Sequence, residues 1–499
     1  MEHVVLNPNK LTPLHKMDLA ITSYNIEMTE VTGGTFWRAF TPGQVAGKEP
    51  ISSAGLNDRE HMMQLFPPIN LKEPRIRTLG KALGPVWVRV SGTWATSTYY
   101  DFDGHTNGIA PHGYQSVMTK EQWDGVLDYV REIGGKLLVS VANCEGTHNE
   151  DGTWNPEQAR MLFSYSREYG VPISAAEFMN EPNLLSMSGA PKGYGLNDFC
   201  RDQDAFFTLL KEEFPQTLLV GPAATCDKDE SQGEKAAVLD TLPIIATKDI
   251  LAKCKIKPEI FSYHYYNGVS ERGASMGGHW DAGEATTEEY LKGAANTCGI
   301  YLPLRDEFCP RTPIWVTESG AAACGGNSWD STYLDVIRTA NELGVFSTLT
   351  EGIIFHNTFA SSDYGLLDPI THLPRPNYWI FLLWSRLMGQ TVYDTHEPLR
   401  EGVHLFAHSR RDQKDGIAYL LVNNSKSEKT YVQLSGNAEI YLLDAPFMRS
   451  TDIYLNGEKL EMADDLTMPK LTARQHTGSQ LEIAPGAITF ILTETDIRL

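Results

Sequence analysis

Long apolar runs are missing from this 499-residue sequence, and none approaches the ~18–20 residues that an α-helical membrane crossing needs. Basic clustering is missing as well. Lys and Arg number 42 against 63 Asp and Glu, a formal net charge of −21. So little concentrated positive charge argues against nucleic acid as a partner. It also counts against a highly sulfated polyanion as substrate, although a cleft can be locally basic. Cysteine is scarce and unpatterned: seven residues, no CxxC pair and none beyond Cys324. A zinc site or redox motif is therefore not expected, and mostly reduced, structural thiols favour an intracellular chain. No HExxH-type spacing supplies metal ligands, so neither metal nor cofactor is expected. The opening MEHVVLNPNKLTPLHK lacks the apolar core of a secretory signal. It predicts a cytoplasmic chain, or a secreted one whose signal has been removed. A single glycosylation-type triplet, Asn423-Asn424-Ser425, is no more than chance supplies.

What the sequence does contain is an alternation of short β-branched or aromatic runs with amphipathic stretches. Eight such runs occur: LAITSYN (19–25), VWVRVSG (86–92), KLLVSVAN (136–143), ISAAEFMN (173–180), TLLVGP (217–222), IFSYHYYN (260–267), PIWVTE (313–318) and GIIFHN (352–357). Between them, segments such as EQWDGVLDYVREIG and STYLDVIRTANELG space their apolar residues three and four apart, as helices covering a sheet do. Near-continuous apolar strands alternating with helices predict a buried parallel sheet, and eight units predict a (β/α)8 barrel over residues 15–388. NYWIFLLWSRLMG (377–389) reads as its closing helix. From residue 389 to 499 the helical texture stops. Short strands such as VHLFAH, IAYLLVNN and AITFILT are separated by turn signals, the Asn456-Gly457 pair being the strongest. An antiparallel β-sandwich is expected there, with residues 1–14 contributing a strand.

A (β/α)8 barrel does its chemistry at the C-terminal ends of its strands. Glu181, in EFMNEPN, lies just past the fourth expected strand, and Glu318, in IWVTESG, closes the seventh. One such glutamate is as readily a solvated loop residue as a functional one. Two delivered to the same mouth meet the needs of glycosidic bond cleavage, where one carboxyl must be protonated and the other ionised. Asn180 is placed to bond a sugar hydroxyl, and Pro182 to stiffen the turn that aims Glu181. Delivery from these two strands predicts carboxyl groups about 5–5.5 Å apart, the retaining geometry.

EFMNEPN and IWVTESG resemble the acid/base and nucleophile segments of the large clan of retaining glycosidases built on this barrel. VWVRVSGTW, FSYHYYNG, IWVTESGAAACGGNS and SSDYGLLDPITHLPRPNYWIFLLWSRLMGQTV more narrowly resemble glycoside hydrolase family 79, which contains heparanase, leech-type hyaluronidase and microbial β-glucuronidases. The similarity covers most of the barrel and runs into the sandwich. It implies Glu181 as acid/base, Glu318 as nucleophile and Asn180 as the asparagine beside the acid/base. It implies Tyr266 near the nucleophile, where the other reading is a barrel-filling aromatic. Glu27 falls where an acidic residue binds sugar hydroxyls, or is simply solvated. Tyr364 matches a tyrosine after the eighth strand, His356 stands where a relative has glutamine or is a core histidine, and Thr93 ends the second strand. Gly325 and Gly326 match glycines whose backbone N–H groups hold the substrate carboxylate, or form a flexible loop. One departure stands out: Ala323-Cys324 precedes those glycines, where heparanase has a tyrosine.

These readings converge on a retaining β-glucuronidase-like hydrolase whose partner is a uronic-acid-containing carbohydrate. The alternatives are an endo-β-glucuronidase acting on hyaluronan or heparan sulfate, and a catalytically silent carbohydrate-binding relative. Retention of both glutamates opposes the last. Insertions at 104–118 and 269–285 are expected to shape the mouth.

Overall fold

The computed structural model describes residues 4–52, 59–227, 243–412 and 414–494. Eight parallel strands close a barrel in chain order: β1 (Thr22–Glu27), β2 (Trp87–Ser91), β3 (Lys136–Ser140), β4 (Ala175–Glu177), β5 (Leu218–Ala224), β6 (Ile260–Tyr266), β7 (Ile314–Gly320) and β8 (Ile354–His356). β8 returns to β1 through the pairs Ile354–Thr22 and His356–Tyr24. All eight strands overlap the expected segments, and Thr22–Glu27, Leu218–Ala224 and Ile314–Gly320 each run two residues beyond them.

Strand periodicity sorts the side chains into two environments. On β1, Tyr24 and Ile26 join the helix-facing core, while Ser23, Asn25 and Glu27 turn into the barrel. The barrel floor is apolar: Trp87, Leu138, Val220, Ile260, Trp315 and Phe355 pack there, with Trp87 and Trp315 edge to face at 5.0 Å. Above that floor the inward positions become polar, so a dry plug lies under a polar mouth.

The covering helices follow their sequence signals. Lys120–Ile133 starts at a capping box formed by Thr119 and Gln122 and stops at Gly134, whose φ of 67° suits glycine. It buries Trp123, Val126, Leu127, Val130 and Ile133, a stripe at helical spacing. The closing helix, Pro376–Leu387, opens on proline at its first position. The helix Tyr333–Leu349 is different, being buried on every side from Tyr333 to Ser347.

The second domain explains that burial. Met388–Asp394, His404–Arg410, Ile417–Val422, Ala438–Asp444 and Ile488–Thr493 belong to a nine-stranded sheet. Val4–Val5, Thr430–Gln433 and Gln480–Ile483 form a three-stranded sheet. The N-terminal residues serve both layers, since Thr12–Lys16 pairs with Met388–Asp394 and Val4–Val5 with Thr430–Gln433. Along the central strands Leu405, Ala407, Tyr419 and Leu421 face the smaller sheet. Phe406, Ala418, Leu420 and Val422 face the barrel's helical layer. Burial on both faces is why these strands read as unbroken apolar runs. Phe406 occupies the space where a Cβ on Gly344 would stand, 2.2 Å away, so the sandwich docks directly onto the Tyr333–Leu349 helix.

Asn456 and Gly457 form the expected two-residue hairpin, with φ of 52° and 85°. Asn423 is fully buried, and its amide donates to the carbonyls of Glu428 and Ile483, so the glycosylation-type triplet is occupied by packing. Among the described residues no disulfide joins the cysteines, and no helix is long and apolar enough to cross a membrane. The expected spans at residues 1–3 and 495–499 fall outside the described residues.

Candidate functional site

Glu318 reaches the mouth through an irregularity in β7. Tyr263 of β6 pairs with Val316, but the next residue, His264, pairs with Glu318, so Thr317 is an extra residue. Simple alternation from the inward Trp315 would turn Glu318 outward. The bulge reverses the phase, sending Glu318 in and Ser319 out. Glu318 Oε1 accepts the Tyr266 hydroxyl at 2.6 Å, and Oε2 accepts Arg89 Nη1 at 3.1 Å.

Each residue of Asn180-Glu181-Pro182-Asn183 has a separate task. Asn180 is buried, and its Oδ1 accepts Arg89 Nη2 at 2.8 Å, which leaves its amide nitrogen to donate. Glu181 has φ 48° and ψ 62°, a left-handed conformation costing a non-glycine residue roughly 1 kcal/mol. Pro182 begins the short turn Pro182–Leu184 that fixes it. Asn183 anchors the turn, accepting Thr225 N–H at 2.9 Å and donating to Ile245 O at 2.7 Å.

Arg89 is the centre of this arrangement. Fully buried on β2, it also donates from Nε to Glu177 Oε2 at 2.9 Å, and Glu177 in turn accepts Ser262. Burial opposes its charge, but Glu177 and Glu318 outweigh that and hold the guanidinium charged. Arg89 Nη2 also lies 3.3 Å from His264 Nε2. A guanidinium only donates, so Nε2 is the acceptor and the imidazole proton sits on Nδ1. From there it is donated to Glu181 Oε1 at 2.9 Å. One carboxylate oxygen each of Glu181 and Glu318 and a ring nitrogen of His264 lie within 4.8 Å of one another. Both imidazole nitrogens are thus engaged, which leaves neither for a metal ion. Asp101, Asp103 and His105 also lie close enough to share an ion, but on a loop where Asp103 and His105 are exposed and bonded to each other.

The remaining candidates fall into two groups. Tyr266, Tyr364 and Glu27 join the mouth. Asn357 donates to the Tyr266 hydroxyl at 2.8 Å and to that of Tyr364 at 3.4 Å. Burial, then the charges of Glu318 and Glu30, push the Glu27 carboxyl well above its usual range, which favours its protonated form. A Cβ on Gly92 would meet Glu27 Oε2 at 1.6 Å, which fixes glycine at that position. Gly325 and Gly326, at φ 88° and 83°, press against Trp37 and Tyr364 respectively, with Arg272 also against Gly325. Thr93 is half-buried at the start of the turn Thr93–Ser97, at the C-terminal end of β2. His356 is placed elsewhere. It sits on the outer side of β8 against Phe381 and donates from Nε2 to Tyr364 O at 2.6 Å. Burial lowers its pKa to about 3, so it stays neutral and braces the loop that carries Tyr364.

Glu30 supports Glu27 by accepting its N–H at 2.7 Å, and burial raises the Glu30 pKa from 4.5 to about 8. The folded state therefore keeps a proton that the unfolded chain has released between those values. Stability contributed by neutral Glu30 is complete below about pH 4.5 and lost as pH rises towards 8. Glu30→Gln, which keeps an acceptor for Glu27, is expected to match wild-type Tm near pH 5 and exceed it near pH 8. A Tm difference that does not change with pH would refute a neutral Glu30.

Comparison with known proteins places this mouth among glycosidases. No protein-family model matches the chain. It is 22% identical over 468 residues to baicalin-β-D-glucuronidase of Scutellaria baicalensis, covering 85% of this chain and 83% of that one. It is 24% identical over 490 residues to heparanase of Mus musculus, covering 85% and 86%. Along most of its length the chain is thus similar to a β-glucuronidase and to heparanases, members of glycoside hydrolase family 79. The 4-O-α-L-rhamnosyl-β-D-glucuronidase of Fusarium oxysporum 12S shares the fold, with a TM-score of 0.63 over 98% of each chain at 11% identity.

Four residues of this site are not singled out by the sequence: Arg89, Glu177, His264 and Asn357. Three had a usable signal. Arg89 and His264 are polar residues at inward positions of otherwise apolar strands, VWVRVS and FSYHYY, and a buried arginine implies a carboxylate partner. Glu177 opens the same heptapeptide as Glu181. Asn357 had none, because only the orientation of His356 turns its neighbour into the mouth.

Proposed function

We propose that this chain is a retaining β-glucuronidase that releases glucuronic acid from glycans or small glucuronides, with residues 15–388 as the catalytic barrel and 389–499 as its supporting sandwich. The observation that carries the reading is the pair Glu181 and Glu318, with oxygens within 4.8 Å. So close an approach supports the roughly 5–5.5 Å carboxyl spacing of retaining enzymes over the wider gap of an inverting pair. Glu318 attacks the anomeric carbon while Glu181 gives its proton to the departing oxygen, forming a glycosyl ester on Glu318. Glu181 then removes a proton from water, which cleaves that ester. His264 donates to Oε1 of Glu181, so the transferred proton resides on Oε2. Arg89 and Tyr266 hold Glu318 aimed, and Asn180 and Glu27 bond sugar hydroxyls.

Uronate recognition rests on the left-handed Gly325-Gly326 segment and the Tyr364 hydroxyl, with Arg272 beside Gly325 where Ala323 removes an aromatic partner. Incubation with an aryl β-glucuronide tests the whole reading. The first product formed is expected to be the β-anomer by NMR, and the efficiency ratio over the aryl β-glucoside to exceed one. Tyr364→Phe should lower that ratio by roughly tenfold or more, the worth of one charge-assisted hydrogen bond. First-formed α-anomer rules out retention; equal or better cleavage of the glucoside rules out uronate specificity.

A further inference from the structure

Behind Glu318, on the side of β7 away from substrate, lies a charged network that the chemistry above does not use. Ser319, turned outward by the bulge, donates its hydroxyl to Glu342 Oε1. Glu342 Oε2 accepts Arg338 Nη1. Arg338 is held in turn by Asp335, through Nε at 2.6 Å and Nη2 at 3.0 Å. Asn377 of the closing helix donates to the same Asp335 at 2.7 Å. All five residues are at most 3% exposed.

Burying three charges in this way is a poor route to stability, because an apolar set of similar volume would usually stabilise the fold at least as well. What the network does supply is direction. The Ser319 carbonyl accepts the N–H of Asn357, just past β8, at 2.7 Å, so Ser319 is tied on both its backbone and its side chain. With Ser319 fixed outward, Thr317 must remain the extra residue and Glu318 must point inward. We propose that Ser319 and Glu342 are positioning residues for Glu318, locking the β7 bulge that aims the nucleophile. The proposal rests on the assignment of Glu318 above.

The sandwich extends this chain of restraint. Arg338 and Glu342 ride on the Tyr333–Leu349 helix, whose other side is clamped by the second domain. Tyr333 donates to Leu443 O at 2.9 Å, Asn341 Oδ1 bonds His404 at 2.7 Å, and Ser347 bonds His408 at 3.1 Å. The second domain thereby fixes the height and rotation of the helix that holds Ser319.

Ser319→Ala, Ser319→Thr and Glu342→Gln test the proposal on p-nitrophenyl β-D-glucuronide, with Tm measured alongside. Misaiming a nucleophile by about 1 Å costs up to about a hundredfold. Ser319→Ala is therefore expected to lower kcat by about ten- to a hundredfold while KM stays within about twofold. Ser319→Thr keeps the hydroxyl and should recover most of kcat. Glu342→Gln should recover it too, since the amide oxygen can take Arg338 while the amide nitrogen donates to Ser319. Unchanged kcat in Ser319→Ala overturns the proposal, as does a loss that Ser319→Thr fails to rescue. If Ser319→Ala does not fold, Ser319→Cys, with a near-isosteric but weak donor, is judged by the same kcat criterion. A crystal structure of Ser319→Ala separates this inference from the functional one. Should wild type cleave no glucuronide, the assigned reaction falls. Positioning then stands only if β7 shifts register between Val316 and Ser319 and Glu318 leaves Arg89 in the variant.

Discussion

Glu318→Gln is expected to abolish turnover of every glucuronide, by on the order of 10^4-fold or more, because an amide cannot form the glycosyl ester. The variant should still fold. Its amide oxygen can keep Arg89 Nη1 and its amide nitrogen can donate to Tyr266, so both hydrogen bonds of Glu318 survive in changed form. Glu181→Ala is expected to fail differently. Ester formation should persist for substrates whose leaving group needs no protonation, such as dinitrophenyl glucuronides, and the reaction should then stall for lack of a base. Azide, a nucleophile that needs no deprotonation, should restart it and yield a glycosyl azide. The measurement is kcat for both variants across a series of aryl leaving groups, with and without azide. Substantial activity in Glu318→Gln, or identical behaviour of the two variants, reverses or removes the assignment.

The fold was legible because its signals are local and repeated. Eight apolar strand segments and their amphipathic partners each carry their own periodicity, and closure of the barrel follows from the count. The sandwich was legible for the same reason, except at Arg474–His476 and Gln480–Ile483, strands too polar and too exposed to stand out. The site was only half legible. Glu181, Glu318 and Tyr266 announce themselves by position at strand ends. Whether Glu318 faces in or out depends on one extra residue, Thr317, and no alternation rule read from IWVTESG reveals a bulge. The same limit separates His356 from Asn357: adjacent residues on a strand take opposite faces, and the phase is set by pairing with β1 and β7. Buried partners such as Arg89 were hidden for another reason. An arginine in an apolar strand shows that a charge must be met, but not which of several carboxylates, far away in sequence, will meet it.

Arg89 carries the other large effect. Its guanidinium donates to Glu177, Glu318 and Asn180 and fixes the proton of His264, so Arg89→Met removes four constraints with little change in volume. Glu177 and Glu318 would then lie buried near each other with no guanidinium between them. Breaking a buried pair on one side typically costs about 3–5 kcal/mol, because the stranded charge remains. The variant can relieve this by taking up protons, which has opposite consequences for stability and rate. The folded variant binds protons that the unfolded chain has released, so its stability falls as pH rises. Its Tm deficit against wild type should therefore be smallest under mildly acidic conditions and grow towards alkaline pH. Turnover needs Glu318 ionised, so the acid limb of the rate profile should move to higher pH while kcat drops about a thousandfold, as expected when several aligned groups are lost together. His264 adds to the loss: freed from Arg89, it can move its proton to Nε2 and cease donating to Glu181. Arg89→Lys should restore part of the stability but little of the rate, since one ammonium supplies charge without the planar fork that spans all four partners. Arg89→Met activity within tenfold of wild type, with an unshifted acid limb, would mean that the guanidinium is a structural filler and that Glu318 owes its charge and aim to Tyr266 alone.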